Sequence, residues 1–110
     1  MIYIFNTLIV PCDFDISNEF VVHFKKVSKE QVVELLKNNE FISAVGHQAT
    51  ADVLTEILGI KIEMNRVAVK MNAGDIGVHF FLKQRLPEGT VLGKDELAKL
   101  SYDLILSEVS

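Results

Sequence analysis

The pattern of apolar and polar residues divides the first part of the chain into two strands and a helix. Residues 2–10 are apolar and rich in β-branched side chains with little alternation, which predicts a strand covered on both faces. Residues 20–27 alternate with a period of two and predict a second strand. Ser28-Lys29-Glu30-Gln31 has the spacing of a capping box, so we expect a helix to begin there and to end at Asn38-Asn39.

The middle of the chain predicts a second helix. Residues 41–45 are ambiguous and are interpreted as a short helical turn. From His47 onward, apolar residues recur at helical spacing and polar residues occupy the opposite side. Gly59 is a natural stop for this helix, because glycine readily adopts the left-handed conformation that commonly follows a helix.

A hairpin is predicted in the second half of the chain. Residues 65–71 alternate, residues 72–75 (Asn-Ala-Gly-Asp) form a turn signal, and residues 76–85 are the expected partner strand. One face of that strand carries Ile76, Val78, Phe80, Leu82 and Gln84, and the other carries His79, Phe81, Lys83 and Arg85. In the expected register Arg66 faces Lys83 and shares a face with Arg85, whereas a shift of one residue moves Arg66 to the opposite face.

The last part of the chain completes a mixed fold. Pro87 and Gly89 suit a type I turn that presents Glu88 at its tip. Residues 94–100 predict a short helix, and residues 102–109 predict the last strand. About five strands and three helices therefore predict a single α/β domain over residues 1–110, more specifically of the α+β class, with a mixed sheet flanked by helices.

Composition narrows the classes of function. Hydrophobic residues make up 49% of the 110, which is enough for a real core, and the formal net charge is −4. An acidic chain argues against a protein that binds duplex nucleic acid through non-specific phosphate contacts, but not against a small anion held by a few local cations. Cys12 is the single cysteine, and no apolar run is long enough to cross a membrane. We therefore expect a protein of the cytoplasm.

Three side chains lie where the pattern places the ends of elements. His47 follows Gly46 at a helix start, Arg85 ends a strand, and Glu88 lies in the next turn. A helix N-terminus favours an anion such as phosphate, and the three side chains together can cleave a phosphodiester by acid–base chemistry without a metal ion. Each residue also has a simpler interpretation, as a helix-start hydrogen bond for His47 and as solvated charges for Arg85 and Glu88.

The remaining titratable residues have simpler interpretations still. His23 and His79 are strand histidines among aromatic residues and are interpreted as structural. Cys12 has no basic neighbour and is treated as inert. The histidines are scattered and no multi-cysteine site is possible, so neither a metal site nor a cofactor is predicted.

Several short motifs, in order and over nearly the whole chain, resemble the viral ring nucleases. These motifs are Asn6, Ile42-Ser43-Ala44-Val45-Gly46-His47 with Thr50, Asn65-Arg66-Val67, and Gln84-Arg85-Leu86 with Glu88-Gly89. The ring nucleases are anti-CRISPR proteins that act against type III CRISPR defence, and they have cellular relatives.

The resemblance implies a homodimeric enzyme that destroys cyclic tetra-adenylate, with the ring held at the dimer interface. It implies that His47 is the general acid, that Arg85 acts at the scissile phosphate and that Glu88 lies beside it. Asn6 and Arg66 match positions near the ligand, and Gln84 is assigned to substrate binding with them. The chain departs from the family after Asn6, where residues 7–11 read Thr-Leu-Ile-Val-Pro in place of small polar residues.

Two other classes of function remain open. The first is a binding protein, either a sponge that sequesters a cyclic oligonucleotide or a small dimeric regulator that contacts nucleic acid. A sponge would need Arg66 and Arg85 but would have no use for an acid at His47, and the acidic composition weighs against the regulator. The second is a purely structural viral or mobile-element protein, which would leave the basic cluster unexplained.

Overall fold

A five-stranded mixed sheet carries two helices on one face. The computed structural model describes residues 1–83 and 101–110. In chain order its elements are β1 (Ile2–Phe5), β2 (Val22–Val27), α1 (Lys29–Asn38), β3 (Phe41–Ala44), α2 (Gln48–Leu58), β4 (Ile76–Leu82) and β5 (Tyr102–Val109). The strand order is β2-β5-β4-β1-β3. The predicted α+β class and the five-stranded mixed sheet are therefore confirmed.

Strand β1 runs parallel to both of its neighbours. Phe5, its last residue, pairs with Ala44 of β3 on one side and with His79 of β4 on the other. The carboxyl ends of these three strands consequently lie at one edge of the sheet, which we call the carboxyl edge. Strand β5 is antiparallel to β4, and β2 is antiparallel to β5.

The first two of the three predicted helices are present, with the predicted ends. The Ser28 side chain accepts a hydrogen bond from the Gln31 amide at 3.1 Å, and the Gln31 side chain accepts one from the Ser28 amide at 2.8 Å, which is the expected capping box. Helix α2 has His47 as its N-cap residue. Gly59 ends α2 with a φ of 67° and donates its amide to the Thr55 carbonyl.

The main core lies between the helices and one face of the sheet. That face of β4 carries Val78 and Phe80, both buried, as the alternation predicted. Val32 of α1 and Leu54 of α2 pack into the same cluster. Burying one such side chain stabilises the fold by roughly 1.5–3 kcal/mol, so this layer is the main source of stability.

The opposite face of the sheet has a smaller core. Phe5, Met71 and Val109 are buried there. Met71 is held by hydrogen bonds on both sides, from its amide to the Pro11 carbonyl and from the Asp13 amide to its own carbonyl. The segment around Met71 and the segment from Pro11 to Asp13 therefore cover part of this face.

The predicted hairpin is wrong. The turn signal is real, because the Asp75 amide bonds to the Asn72 carbonyl and Gly74 has a φ of 96°. However, β4 pairs with β1 along one side and with β5 along the other. A strand has only two edges, so residues 65–71 have no free edge of β4 to join. Arg66 consequently does not face Lys83 across a hairpin.

Two smaller predictions about the strands are also corrected. Residues 41–45 do not form a helical turn, because Phe41–Ala44 is strand β3, paired with β1. The first strand ends at Phe5 rather than at Val10. The predicted turn at residues 87–89, the predicted helix at residues 94–100, and Gln84, Arg85 and Glu88 lie outside the described residues.

We expect Gly77→Ala to destabilise the protein by about 1–3 kcal/mol, the usual cost of overpacking. A Cβ atom at this position would lie 2.5 Å from the Ser107 Oγ and 2.6 Å from the His79 Nε2. Gly46→Ala is the matched control, since its Cβ would meet nothing closer than 3.7 Å. Urea unfolding measures both free energies, and equal stability of the two variants would contradict the prediction.

Candidate functional site

Gly46 joins three segments of the chain at the carboxyl edge. Its amide donates a hydrogen bond to the Asn6 side-chain oxygen at 3.2 Å, just after β1. Its carbonyl accepts a hydrogen bond from the Arg66 Nε at 2.8 Å. Asn6 and Arg66 are therefore brought together with the residue that precedes His47, although they are far apart in the sequence.

Arg66 reaches this position because Asn65 is anchored to β3. The Asn65 amide bonds to the Val45 carbonyl at 2.8 Å, and its side-chain amide bonds to the Ser43 carbonyl at 2.7 Å. Met64 forms an isolated parallel bridge with Val45. The segment therefore runs beside the end of β3 rather than in a hairpin. Asn65 belongs to the motif Asn65-Arg66-Val67, but the sequence alone assigns it no role. Its place directly before Arg66 is the feature of the sequence that could have indicated one.

His47 is exposed at the start of α2. Its side chain makes no capping hydrogen bond to the helix, while its carbonyl accepts the first intrahelical bond, from the Ala51 amide. The first amides of a helix have no partner within the helix and favour an anion. Arg66 thus binds the residue that precedes His47 and the start of α2, and it forms no ion pair within residues 1–83 and 101–110.

His79 is buried beside this site and is structural, in agreement with the expectation from sequence. Its Nδ1 lies 3.0 Å from the Thr7 carbonyl and its Nε2 lies 2.7 Å from the Ser107 Oγ. A carbonyl only accepts, so Nδ1 carries the proton, and in the neutral ring Nε2 accepts from the Ser107 hydroxyl. Burial lowers the pKa of His79, and the hydrogen bond to Thr7 partly opposes that shift.

Strand β4 is followed in the chain by the three predicted site residues that lie outside the described residues. Strand β4 continues past His79 to Leu82, which carries it about 10 Å beyond the level of Phe5. The Lys83 amide then bonds to the Ser101 carbonyl, beside β5. Gln84, Arg85 and Glu88 follow directly in the chain, so the strand that leads to them ends at the carboxyl edge.

The predicted basic cluster is not formed by Arg66 and Lys83. Lys83 forms an ion pair with Asp103 at 3.3 Å, and Lys26 binds the same carboxylate at 3.1 Å. The hydrogen bond from Lys26 is the largest cause that lowers the pKa of Asp103. Lys83 is therefore paired with Asp103, whereas Arg66 is bound to the carbonyl of Gly46, the residue before His47.

The described part of the chain contains no group of three or more metal-ligating side chains. His23 is exposed on β2, which is separated from β3 by three strands. The partly buried Cys12 is unpaired within the same residues. The chemistry available at the carboxyl edge is thus that of an imidazole, a guanidinium, an amide and a helix N-terminus.

Residues 2–104 match the STIV B116-like family. The chain belongs to this family. The fold agrees with that assignment, because B116 of Sulfolobus turreted icosahedral virus superposes with a TM-score of 0.77 and 26% identity over 97% of each chain.

Proteins similar to this chain occur in viruses of Sulfolobus and Acidianus and in a bacterium. Uncharacterized protein 26 of Sulfolobus islandicus filamentous virus is 42% identical over 99% of this chain and 92% of its own length. ORF117 of Acidianus two-tailed virus is 38% identical over 94% of this chain and 89% of its own length. YddF of Bacillus subtilis is 32% identical over 74% of this chain and 78% of its own length. The similarities to viral proteins support a viral origin, and none of the names carries an activity.

The helices within the described residues include none with the length and apolar character needed to span a membrane.

We expect stability to fall as the pH is lowered below 6.5, the ordinary histidine pKa. The pKa of His79 is lower in the folded chain, so the unfolded chain binds more protons in this range. One such group contributes at most about 1.4 kcal/mol per pH unit. Urea unfolding of the wild type and of His79→Asn between pH 7.5 and pH 5 isolates the contribution of His79 to the free energy of unfolding. If the difference in unfolding free energy between the two proteins does not change with pH, the prediction that folding lowers the pKa of His79 is contradicted.

Proposed function

We propose that this protein is a metal-independent ring nuclease that cleaves cyclic tetra-adenylate into linear di-adenylates and so switches off type III CRISPR signalling. The observation that carries the proposal is the junction at Gly46, which brings Asn6, Arg66 and His47 together. These are three of the residues that the resemblance to ring nucleases selects. The substrate would be met in the cytoplasm of the host cell.

The geometry of the sheet supports a ligand at this place. Strand β1 lies between β3 and β4 and runs parallel to both. In open sheets with parallel strands, ligands commonly bind beyond the carboxyl ends of the strands. The uncapped N-terminus of α2 and the Arg66 guanidinium both favour phosphate there.

The proposed reaction uses a nucleophile from the substrate. The ribose 2′-hydroxyl loses its proton to solvent water and attacks the adjacent phosphorus in line, the bond from phosphorus to the 5′-oxygen breaks, and a cyclic phosphate forms. Arg85 stabilises the charge on the phosphorane, with Glu88 beside it. The protonated His47 donates its proton to the departing 5′-oxygen. Asn6, Arg66 and Gln84 hold the ring in the pose that the attack requires.

The proposal includes a homodimer. A ring with two-fold symmetry between two copies of the same site would be cut at two equivalent positions, which yields two di-adenylates. No metal or other cofactor is needed, because the imidazole and the guanidinium supply the proton and the charge. Neither duplex nucleic acid nor a membrane is a partner in this scheme.

A cyclic-oligonucleotide sponge is the second candidate, because Arg66 and the N-terminus of α2 suit capture as well as cleavage. Incubation with cyclic tetra-adenylate in excess chelator separates the candidates. Multiple turnovers support the nuclease and stoichiometric capture supports the sponge. A lack of any interaction removes both and leaves a structural role.

We expect His47→Ala to bind the ring with an affinity close to that of the wild type and to turn over about 10²–10⁴-fold more slowly, the usual contribution of a general acid. His23→Ala is the matched control. The His23 side chain is exposed on β2. This strand lies about 19 Å across the sheet from β3, the strand that precedes His47. Single-turnover kinetics and equilibrium binding measure the two effects. Equal rates for the two variants would show that His47 is not the proton donor.

Arg66→Gln is expected to weaken binding of cyclic tetra-adenylate about 10- to 150-fold. A hydrogen bond to a charged group contributes about 1.5–3 kcal/mol, and the guanidinium would contact phosphate while its Nε holds Gly46. Lys25→Gln removes an exposed cation from β2 and is the control for net charge. Binding is measured in the His47→Ala background at fixed ionic strength. Equal losses in the two variants would indicate a general charge effect instead.

A further inference from the structure

His79 lies directly beside the end of β1, where the backbone turns toward Asn6. It pairs with Phe5 across the parallel ladder, and its ring stacks on the Phe5 ring with centroids 5.0 Å apart and an angle of 11° between planes. Its exposed fraction is 0%. A buried imidazole is costly unless both nitrogens have partners, and both do.

The two partners of His79 belong to different parts of the chain. Nδ1 donates to the carbonyl of Thr7, the residue after Asn6, and Nε2 contacts the hydroxyl of Ser107 on β5. Gly77 leaves room for this arrangement, because any Cβ there would displace both the ring and the hydroxyl. The imidazole thus connects β5 to the backbone that follows β1.

Asn6 is therefore held on both sides. Phe5 before it is fixed in the sheet and under the His79 ring, and Thr7 after it is fixed by the His79 Nδ1. The Asn6 side chain then accepts the Gly46 amide, and Gly46 leads into His47. A continuous series of contacts runs from Ser107 through His79 and Asn6 to the start of α2.

We infer that His79 is a positioning residue, which fixes the Asn6 side chain through Thr7 and thereby holds Gly46 and the N-terminus of α2 in their working geometry. Its effect on catalysis rests on the proposed function, whereas its effect on Gly46 does not. If His79 only filled space, an aromatic ring without nitrogens would serve equally well. If it positions Asn6, the donor to Thr7 is the part that matters.

The test compares two substitutions that separate the ring from its donor. His79→Phe keeps an aromatic ring beside Phe5 and removes both hydrogen bonds. His79→Asn loses the ring but places a side-chain N–H the same number of bonds from Cα as Nδ1, where it can donate to Thr7. Val32→Ala, in the core beside α1 and away from the carboxyl edge, controls for a general loss of stability.

Amide hydrogen exchange of Gly46 is the first measurement, since this amide donates to Asn6. We expect His79→Phe to speed the exchange of Gly46 about tenfold relative to Val32→Ala, as for the loss of one hydrogen bond. His79→Asn is expected to restore most of the protection. The second measurement is turnover of cyclic tetra-adenylate. We expect kcat to fall about 10- to 100-fold in His79→Phe, with a much smaller change in KM, and to recover in His79→Asn.

The outcomes are distinguishable. Exchange of Gly46 that is the same in His79→Phe and Val32→Ala would overturn the inference, as would failure of His79→Asn to restore it. If the wild type does not turn over the ring, the proposed nuclease fails, and the Gly46 measurement still decides the role of His79. Should His79→Phe not fold, Ser107→Ala can be used in its place, because it removes the partner of the His79 Nε2. We expect Ser107→Ala to speed the exchange of the Gly46 amide by less than the change expected for His79→Phe. Unchanged exchange in that variant would count against the inference.

Discussion

The parallel pairing of β1 with both β3 and β4 is the constraint on which the rest of the structure depends. Parallel neighbours end at the same edge of a sheet, so the residues that follow these strands are close in space whatever their separation in sequence. Asn6 follows β1, Gly46 and His47 follow β3, and β4 leads toward Arg85. The parallel direction of these strands thus brings Asn6 and Gly46 together at the carboxyl edge.

Backbone polar groups complete the assembly at this edge. The amide and the carbonyl of Gly46 are both bound by side chains, from Asn6 and Arg66 respectively. A hydrogen bond to a backbone group places a long side chain more narrowly than packing alone, because it fixes direction as well as distance. The chain is acidic overall, but Arg66 provides a local positive charge next to Gly46, the residue that precedes His47.

The face of the sheet opposite the helices contributes through polar packing. His79, Ser107 and Gly77 form a small satisfied group beneath the loop after β1. Such a group adds less stability than an apolar core of the same volume but allows fewer arrangements. The main core supplies stability on one side of the sheet, and this polar group orders the loop on the other.

Short-range spacing in the sequence was enough to predict α1 and α2 with their ends, the apolar face of β4, the last strand and the structural interpretation of His79. The sequence also selected Asn6, His47 and Arg66 through motifs. Strand partners were decided only in the tertiary structure. The turn at residues 72–75 formed as expected, yet β1 and β5 occupy both edges of β4. Asn65 therefore bonds to the end of β3, and Met71 bonds to Pro11 and Asp13. Segments that are distant in the sequence compete for the two edges of a strand such as β4. The local pattern of residues therefore cannot predict which segments will pair with it.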